Sequence, residues 1–94
     1  DYEGLRALSP DVFFAGQWED TCKLNELGLP FAVVTEYLEN DPLGRLEWIK
    51  FFAAFYNRER EAAKFFDNVC RNVSRLSERV KGVKEWPKVL WGTI

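Results

Sequence analysis

Histidine is absent from the 94 residues, and with it goes the only side chain whose ordinary pKa places its charge change near neutrality. General acid–base work would then fall to carboxylates with raised pKa values, and nothing in the sequence marks such a group out. Glycine-rich phosphate loops are also missing. Two cysteines, Cys22 and Cys70, are isolated from one another and make a zinc site improbable. No apolar run approaches the ~20 residues that cross a bilayer, and no basic-then-apolar signal segment stands at the N-terminus. Net charge is −2, so a nucleic-acid partner is not favoured. These absences argue against an enzyme, and no cofactor is implied.

What is present is a dense supply of rings. Aromatics make up 16% of residues, which fits a soluble globular chain and not a disordered one. A chain this short buries about 60–65% of its unfolded surface and is marginal, so its core has to be tight. The richest stretch runs from Thr35 to Tyr56, where an apolar strand empties into an acidic turn and then an aromatic helix. Asp41 or Asn40 can cap that helix, with Pro42 in its first turn where a missing N–H costs nothing. Leu46, Ile49, Ala53 and Tyr56 form one apolar stripe and Trp48, Phe51, Phe52 and Phe55 a second, predicting a helix covered on two sides.

In chain order, Tyr2, Leu5 and Leu8 predict a short helix halted at Ser9-Pro10. Val12 to Ala15 is an apolar run without alternation, suiting a parallel strand buried on both faces. Positions 17 to 27, with Trp18, Cys22, Leu24 and Leu27, allow a helix closed by Gly28 as a left-handed cap. Phe31 to Thr35 reads as a second buried strand, so the architecture is α/β. Cys22 and Cys70 fall on apolar helix faces, where a buried free thiol is the commoner outcome, although an oxidising compartment would let them pair. From about Glu59 to Lys81 the positions Ala62, Phe66, Val69, Val73, Leu76 and Val80 recur at spacings of four and three, one apolar seam along the longest helix. Fewer than four heptads and no sustained charge pairing count against a coiled coil. Gly82 closes that helix, and Val89-Leu90-Trp91 begins a third strand that runs out at Ile94.

In open parallel sheets ligands bind beyond the carboxyl ends of the strands. That rule places Gly16, Gln17, Trp18, Glu36 and Tyr37 at the functional edge, with Trp18 equally suited to plain packing in a core. The acidic group Glu36, Glu39 and Asp41 has the chemistry to hold a hard cation, but acids beside a helix start more often serve as caps and solvated charges. No metal site is expected.

The run from Glu36 through Pro42-Leu43-Gly44-Arg45 to Glu47-Trp48-Ile49-Lys50, with the opening Glu3-Gly4-Leu5-Arg6-Ala7-Leu8-Ser9-Pro10-Asp11-Val12, resembles the helical-backbone (class III) periplasmic substrate-binding proteins of ATP-binding cassette importers. These capture iron-siderophores, haem or cobalamin between two lobes, and they are considerably longer than this chain. The resemblance implies a fragment: residues 1–57 the second half of an N-terminal lobe, 58–82 a connecting backbone helix, 83–94 the start of a C-terminal lobe. It implies a partial three-layer Rossmann-like lobe with a short parallel sheet, a periplasmic or lipid-anchored location, and an iron complex or cobalamin as solute. Glu3 then matches the glutamate that such proteins present to arginines on the membrane permease, although Asp1-Tyr2 precede it where an asparagine is often seen. A helix-capping role for Glu3 stands beside that one. With its neighbouring lobe missing, the fragment is expected to self-associate, as a homo-oligomer or domain-swapped dimer. Two other readings stay open, a piece of a flavodoxin-like or nitrogenase-like enzyme domain and a helical interaction module using the seam from Ala62 to Val80.

Overall fold

A computed structural model describes residues 1–93 and shows an α/β arrangement in two compact units, Asp1–Arg45 and Leu46 onward. In the first unit, α1 (Tyr2–Leu8) starts because the Asp1 carboxylate accepts the Glu3 N–H at 3.1 Å, satisfying a donor that has no partner inside the helix. It ends as expected at Ser9, which turns left-handed (φ 47°, ψ 55°) ahead of Pro10 and returns its N–H to the Arg6 carbonyl.

Strands β1 (Phe13–Ala15) and β2 (Phe31–Val33) pair in parallel, with Phe13, Phe14 and Ala15 opposite Phe31, Ala32 and Val33. The ladder gains a bond at either end, from the Phe13 N–H to the Pro30 carbonyl and from the Val34 N–H to the Ala15 carbonyl, both 2.8 Å. Between the strands lies α2 (Thr21–Glu26), followed by Gly28 at φ +66°, the predicted left-handed cap. This helix is shorter than the predicted span from residue 17. Asp20 takes extended dihedrals and accepts the Lys23 N–H at 3.0 Å, and a residue that caps in this way cannot also be helical.

Ala15, Leu24 and Leu29 are buried, with Tyr2, Leu5, Phe13, Leu27 and Phe31 packed against them. Leu24 is the one large side chain fully removed from water among the described residues, a burial worth about 2 kcal/mol. Burial of the strands on both faces is not found. In β1 only Ala15 is buried, and Val33 of β2 is exposed, because helices of seven and six residues supply too little surface to cover a sheet twice. Cys22 is likewise exposed where a buried thiol is predicted, since Leu24 takes the inward face of so short a helix. Cys70 is half-buried, and both thiols are free.

Helix α3 (Pro42–Ala54) begins in the first unit and continues into the second, where α4 (Glu59–Val80) follows. The break between them is made by Asn57, left-handed at φ 53°, while the Arg58 N–H reaches back to the Ala53 carbonyl. Asparagine is one of the few side chains that tolerate this region. Ala53 of α3 and Ala62 of α4 are buried, and Lys50 Nζ stands 4.1 Å from the centre of the Phe66 ring. The predicted cover on two sides of α3 is not found in this chain: Trp48, Phe51 and Phe52 are half-buried, and Phe55 and Tyr56 are exposed. These rings instead meet one another edge-on, Phe51 lying 5.2 Å from Trp48 and 5.3 Å from Phe55.

The seam of α4 changes along its length. Ala62 is buried, Phe66 and Val69 are half-buried, and Val73, Leu76 and Val80 are exposed. After Val80 a turn forms around Gly82, and residues 84–93 have no regular secondary structure. The predicted strand at Val89-Leu90-Trp91 is therefore not formed, because a strand needs a ladder partner and none of the described residues supplies one. Ile94 lies outside the described residues.

Candidate functional site

Parallel pairing sends both strands out on the same side of the sheet, and the two segments that leave it are Gly16–Asp20 and Val34–Asp41. All five residues predicted for the edge sit on these segments. Gly16 directly follows β1, and the Glu19 N–H closes a turn on its carbonyl at 3.2 Å, leaving Gln17 and Trp18 outermost. Trp18 is 88% exposed, so no core formed by the described residues takes it in. The turn is fastened from the side by Tyr2, whose hydroxyl donates to Glu19 Oε2 at 3.4 Å and accepts the Asp20 N–H at 3.3 Å. Beside this fastening lies an open groove of about 300 Å³, lined by Asp1, Tyr2, Leu5, Phe13 and Glu19.

On the second segment a 3-10 turn spans Glu36–Leu38, with Glu36 half-buried and Tyr37 exposed. Arg45 holds it from α3: its Nη2 donates to the Tyr37 carbonyl at 3.3 Å and the Glu39 carbonyl at 3.1 Å. Asp41, rather than Asn40, starts α3, accepting the N–H groups of Leu43 and Gly44 at 3.2 and 3.3 Å. A Cβ at Gly44 would come within 3.2 Å of Oε2 of the exposed Glu39, a contact that a small shift of that side chain relieves. Sequence reasoning had no role for Tyr2 or Arg45 at this edge. Arg45 stood only inside a motif, and Tyr2 only in an apolar pattern that says nothing of its hydroxyl.

Glu19, Asp20, Glu36, Glu39 and Asp41 lie on the two segments, which carry no lysine or arginine. Asp20 and Asp41 spend oxygens on helix N-termini and Glu19 accepts from Tyr2. Among the described residues no group of three His, Cys, Asp or Glu is placed to hold a metal ion. Glu3 is exposed in the first turn of α1, where the helix dipole favours a carboxylate. The capping oxygen there belongs to Asp1, so the capping role considered for Glu3 is already filled.

Outside this edge, the second unit has an open groove of about 370 Å³ lined by Ile49, Ala53, Arg58, Glu61, Ala62 and Phe65. Arg58 donates to Glu61 at 2.9 Å, and that hydrogen bond, with a further one from the backbone, holds the Glu61 carboxyl below its ordinary value. No helix among the described residues is long and apolar enough to cross a membrane.

The chain is 40% identical over 98 residues to the uncharacterized lipoprotein MJ0878 of Methanocaldococcus jannaschii, an alignment covering 98% of this chain and 23% of that protein. With the uncharacterized lipoprotein MJ0872 of the same archaeon it shares 38% over 96 residues, 96% of this chain and 25% of the relative. With the uncharacterized protein MJ0642 it shares 30% over 80 residues, 81% and 24%. The chain thus spans about a quarter of the length of the curated relatives it matches. No family model matches it, and no solved structure does.

Proposed function

We propose that these residues form part of a lipid-anchored, extracytoplasmic solute-binding protein that delivers an iron complex, as siderophore or haem, or cobalamin to an ATP-binding cassette importer. The observation that carries this reading is the convergence of Gly16, Gln17 and Trp18 with Glu36 and Tyr37 at one carboxyl edge of a parallel sheet, the position where open α/β sheets bind ligands. An exposed tryptophan beside a turn tied to Tyr2 by two hydrogen bonds gives that edge an apolar face. The names of two relatives supply the lipid anchor.

In this reading residues 1–57 belong to the N-terminal lobe of a Rossmann-like, three-layer pair, residues 58–82 are the connecting helix, and residues 83–94 open the second lobe. One wall of a cleft cannot desolvate a solute alone, so residues 1–94 in isolation bind none appreciably, and their uncovered apolar faces drive self-association or domain swapping. Glu3, free of the capping duty, faces arginines of the permease. The chemistry is binding and release, with no bond made or broken.

The test is a binding screen of the full-length parent against ferric chelates, haem and corrinoids. Micromolar or tighter binding of one class is expected, weakened at least tenfold by Trp18→Ala; no binding of any class overturns the proposal. Replacing Glu3 by lysine is expected to leave solute affinity intact while reducing uptake, and unchanged uptake removes the docking role.

A further inference from the structure

The seam of α4 is continuous in sequence but only half used. Its proximal part is seated against α3, with Ala53 and Ala62 buried and Phe66 under Lys50. Beyond Val69 the same spacing continues through Val73, Leu76 and Val80, all exposed, and the chain then presents Trp86, Val89, Leu90 and Trp91, the last two 98% and 95% exposed. So many exposed apolar side chains mark an interaction surface. The distal seam continues the line along which α4 meets α3 at Ala62 and Phe66.

Three occupants would fit an apolar helix face: a lipid surface, a second copy of this chain, or further polypeptide of the parent. Helical geometry distinguishes them. At 3.6 residues per turn, the positions bordering the distal seam are Asn72 and Arg79 on one side and Cys70 and Ser77 on the other. Arg71 and Arg75 fall on the opposite face, and both are exposed. A helix lying on anionic lipid gains from basic side chains close to the headgroups, and a helix pairing with its own copy gains from complementary charges along the seam. This border offers one charge, Arg79, and otherwise small uncharged groups. Such a border suits burial in a protein interior. The relatives are about four times as long as the stretch they share with this chain, so the parent polypeptide has the length to provide that interior.

We infer that the distal half of α4, from Val69 to Val80, together with Trp86, Leu90 and Trp91, is seated in the whole protein against parent polypeptide outside residues 1–94. This rests on the reading of the chain as one portion of a longer protein. It does not depend on which solute that protein takes, or on whether it takes one.

The experiment uses the full-length parent, without solute, with Cys22 and Cys70 replaced by serine. Single cysteines are introduced as Leu76→Cys and, as a second seam probe, Val73→Cys, with Arg75→Cys as the reference on the opposite face. Maleimide labelling rates are then compared, with and without vesicles of anionic lipid and over a hundredfold range of protein concentration. The seam positions are expected to react at least a hundredfold more slowly than Arg75→Cys, at every concentration and without vesicles. Equal rates overturn the inference. Protection that needs vesicles assigns the face to the membrane, and protection that grows with concentration assigns it to a second copy; either result overturns it as well. A parent that shows the expected protection yet binds no solute refutes the transport reading and leaves this one standing.

Discussion

In residues 1–45, segments distant in sequence converge on Ala15, Leu24 and Leu29, and a fully buried leucine results. In the distal half of α4 the apolar pattern is more regular than anything in the first unit, yet Val73, Leu76 and Val80 are all exposed. Periodicity names the face of a helix that has to be covered, and says nothing of the cover. Burial follows from what the topology brings opposite, which for α2 is a pair of strands and for the end of α4 is nothing among the described residues.

The sharpest way to break this contrast is a pair of truncations in the chain 1–94. Leu24→Ala is expected to cost about 3 kcal/mol through the cavity it leaves, while Leu76→Ala stays within about 0.5 kcal/mol, as for an exposed position. Urea unfolding at concentrations low enough to keep the chain monomeric measures both, and equal losses would mean that the seam is already covered within one chain. Next in size, Ala62→Leu tests whether the proximal seam is truly closed. Adding three carbons where an alanine is buried beside α3 is expected to cost about 1–3 kcal/mol, and a neutral result would mean that the open groove Ala62 lines takes up the leucine.

A smaller effect belongs to the boundary between acidic turn and helix. Asp41→Ala removes the acceptor for two N–H groups of α3 and is expected to cost about 1 kcal/mol, with Asn40→Ala near neutral. Matched losses at both positions would return the cap to Asn40. Least of all is Arg58→Ala, which leaves the melt unchanged because the pair with Glu61 is exposed and screened. Its readout is the Glu61 carboxyl, which is expected to titrate higher by NMR once the guanidinium is gone. The sign follows from linkage: a folded value below the unfolded one favours the fold above the unfolded carboxylate range, and that small contribution is lost as pH falls through the folded value.

Much of the fold was legible because local chemistry is strict. Pro42 and Asp41 mark the start of α3, and Gly28 the left-handed turn that closes α2. The parallel pair was legible from two apolar runs around a helix. Burial was not: rings along α3 read as a helix covered twice, whereas Phe55 and Tyr56 are exposed. Val89-Leu90-Trp91 reads as a strand by composition, but ladder partners are not encoded locally. At the site, Trp18 and Tyr37 were placed by a topological rule, while the supports were not, since Arg45 acts on carbonyls and Tyr2 through one hydroxyl.

That hydroxyl has a consequence for the order in which the molecule assembles. Tyr2 reaches across 17 residues to Glu19 and 18 to Asp20, so the rim turn is secured only once a loop of that length has closed. Loop closure carries an entropic cost that local contacts avoid, and contacts of long sequence separation tend to slow folding. The Asp20 cap on α2 and the Gly16 turn need only their neighbours and can form early, but their placement against the sheet edge waits on the first turn of α1. Phenylalanine in place of Tyr2 would keep the ring and lose the latch, uncoupling the speed with which the sheet assembles from the moment at which its rim becomes rigid.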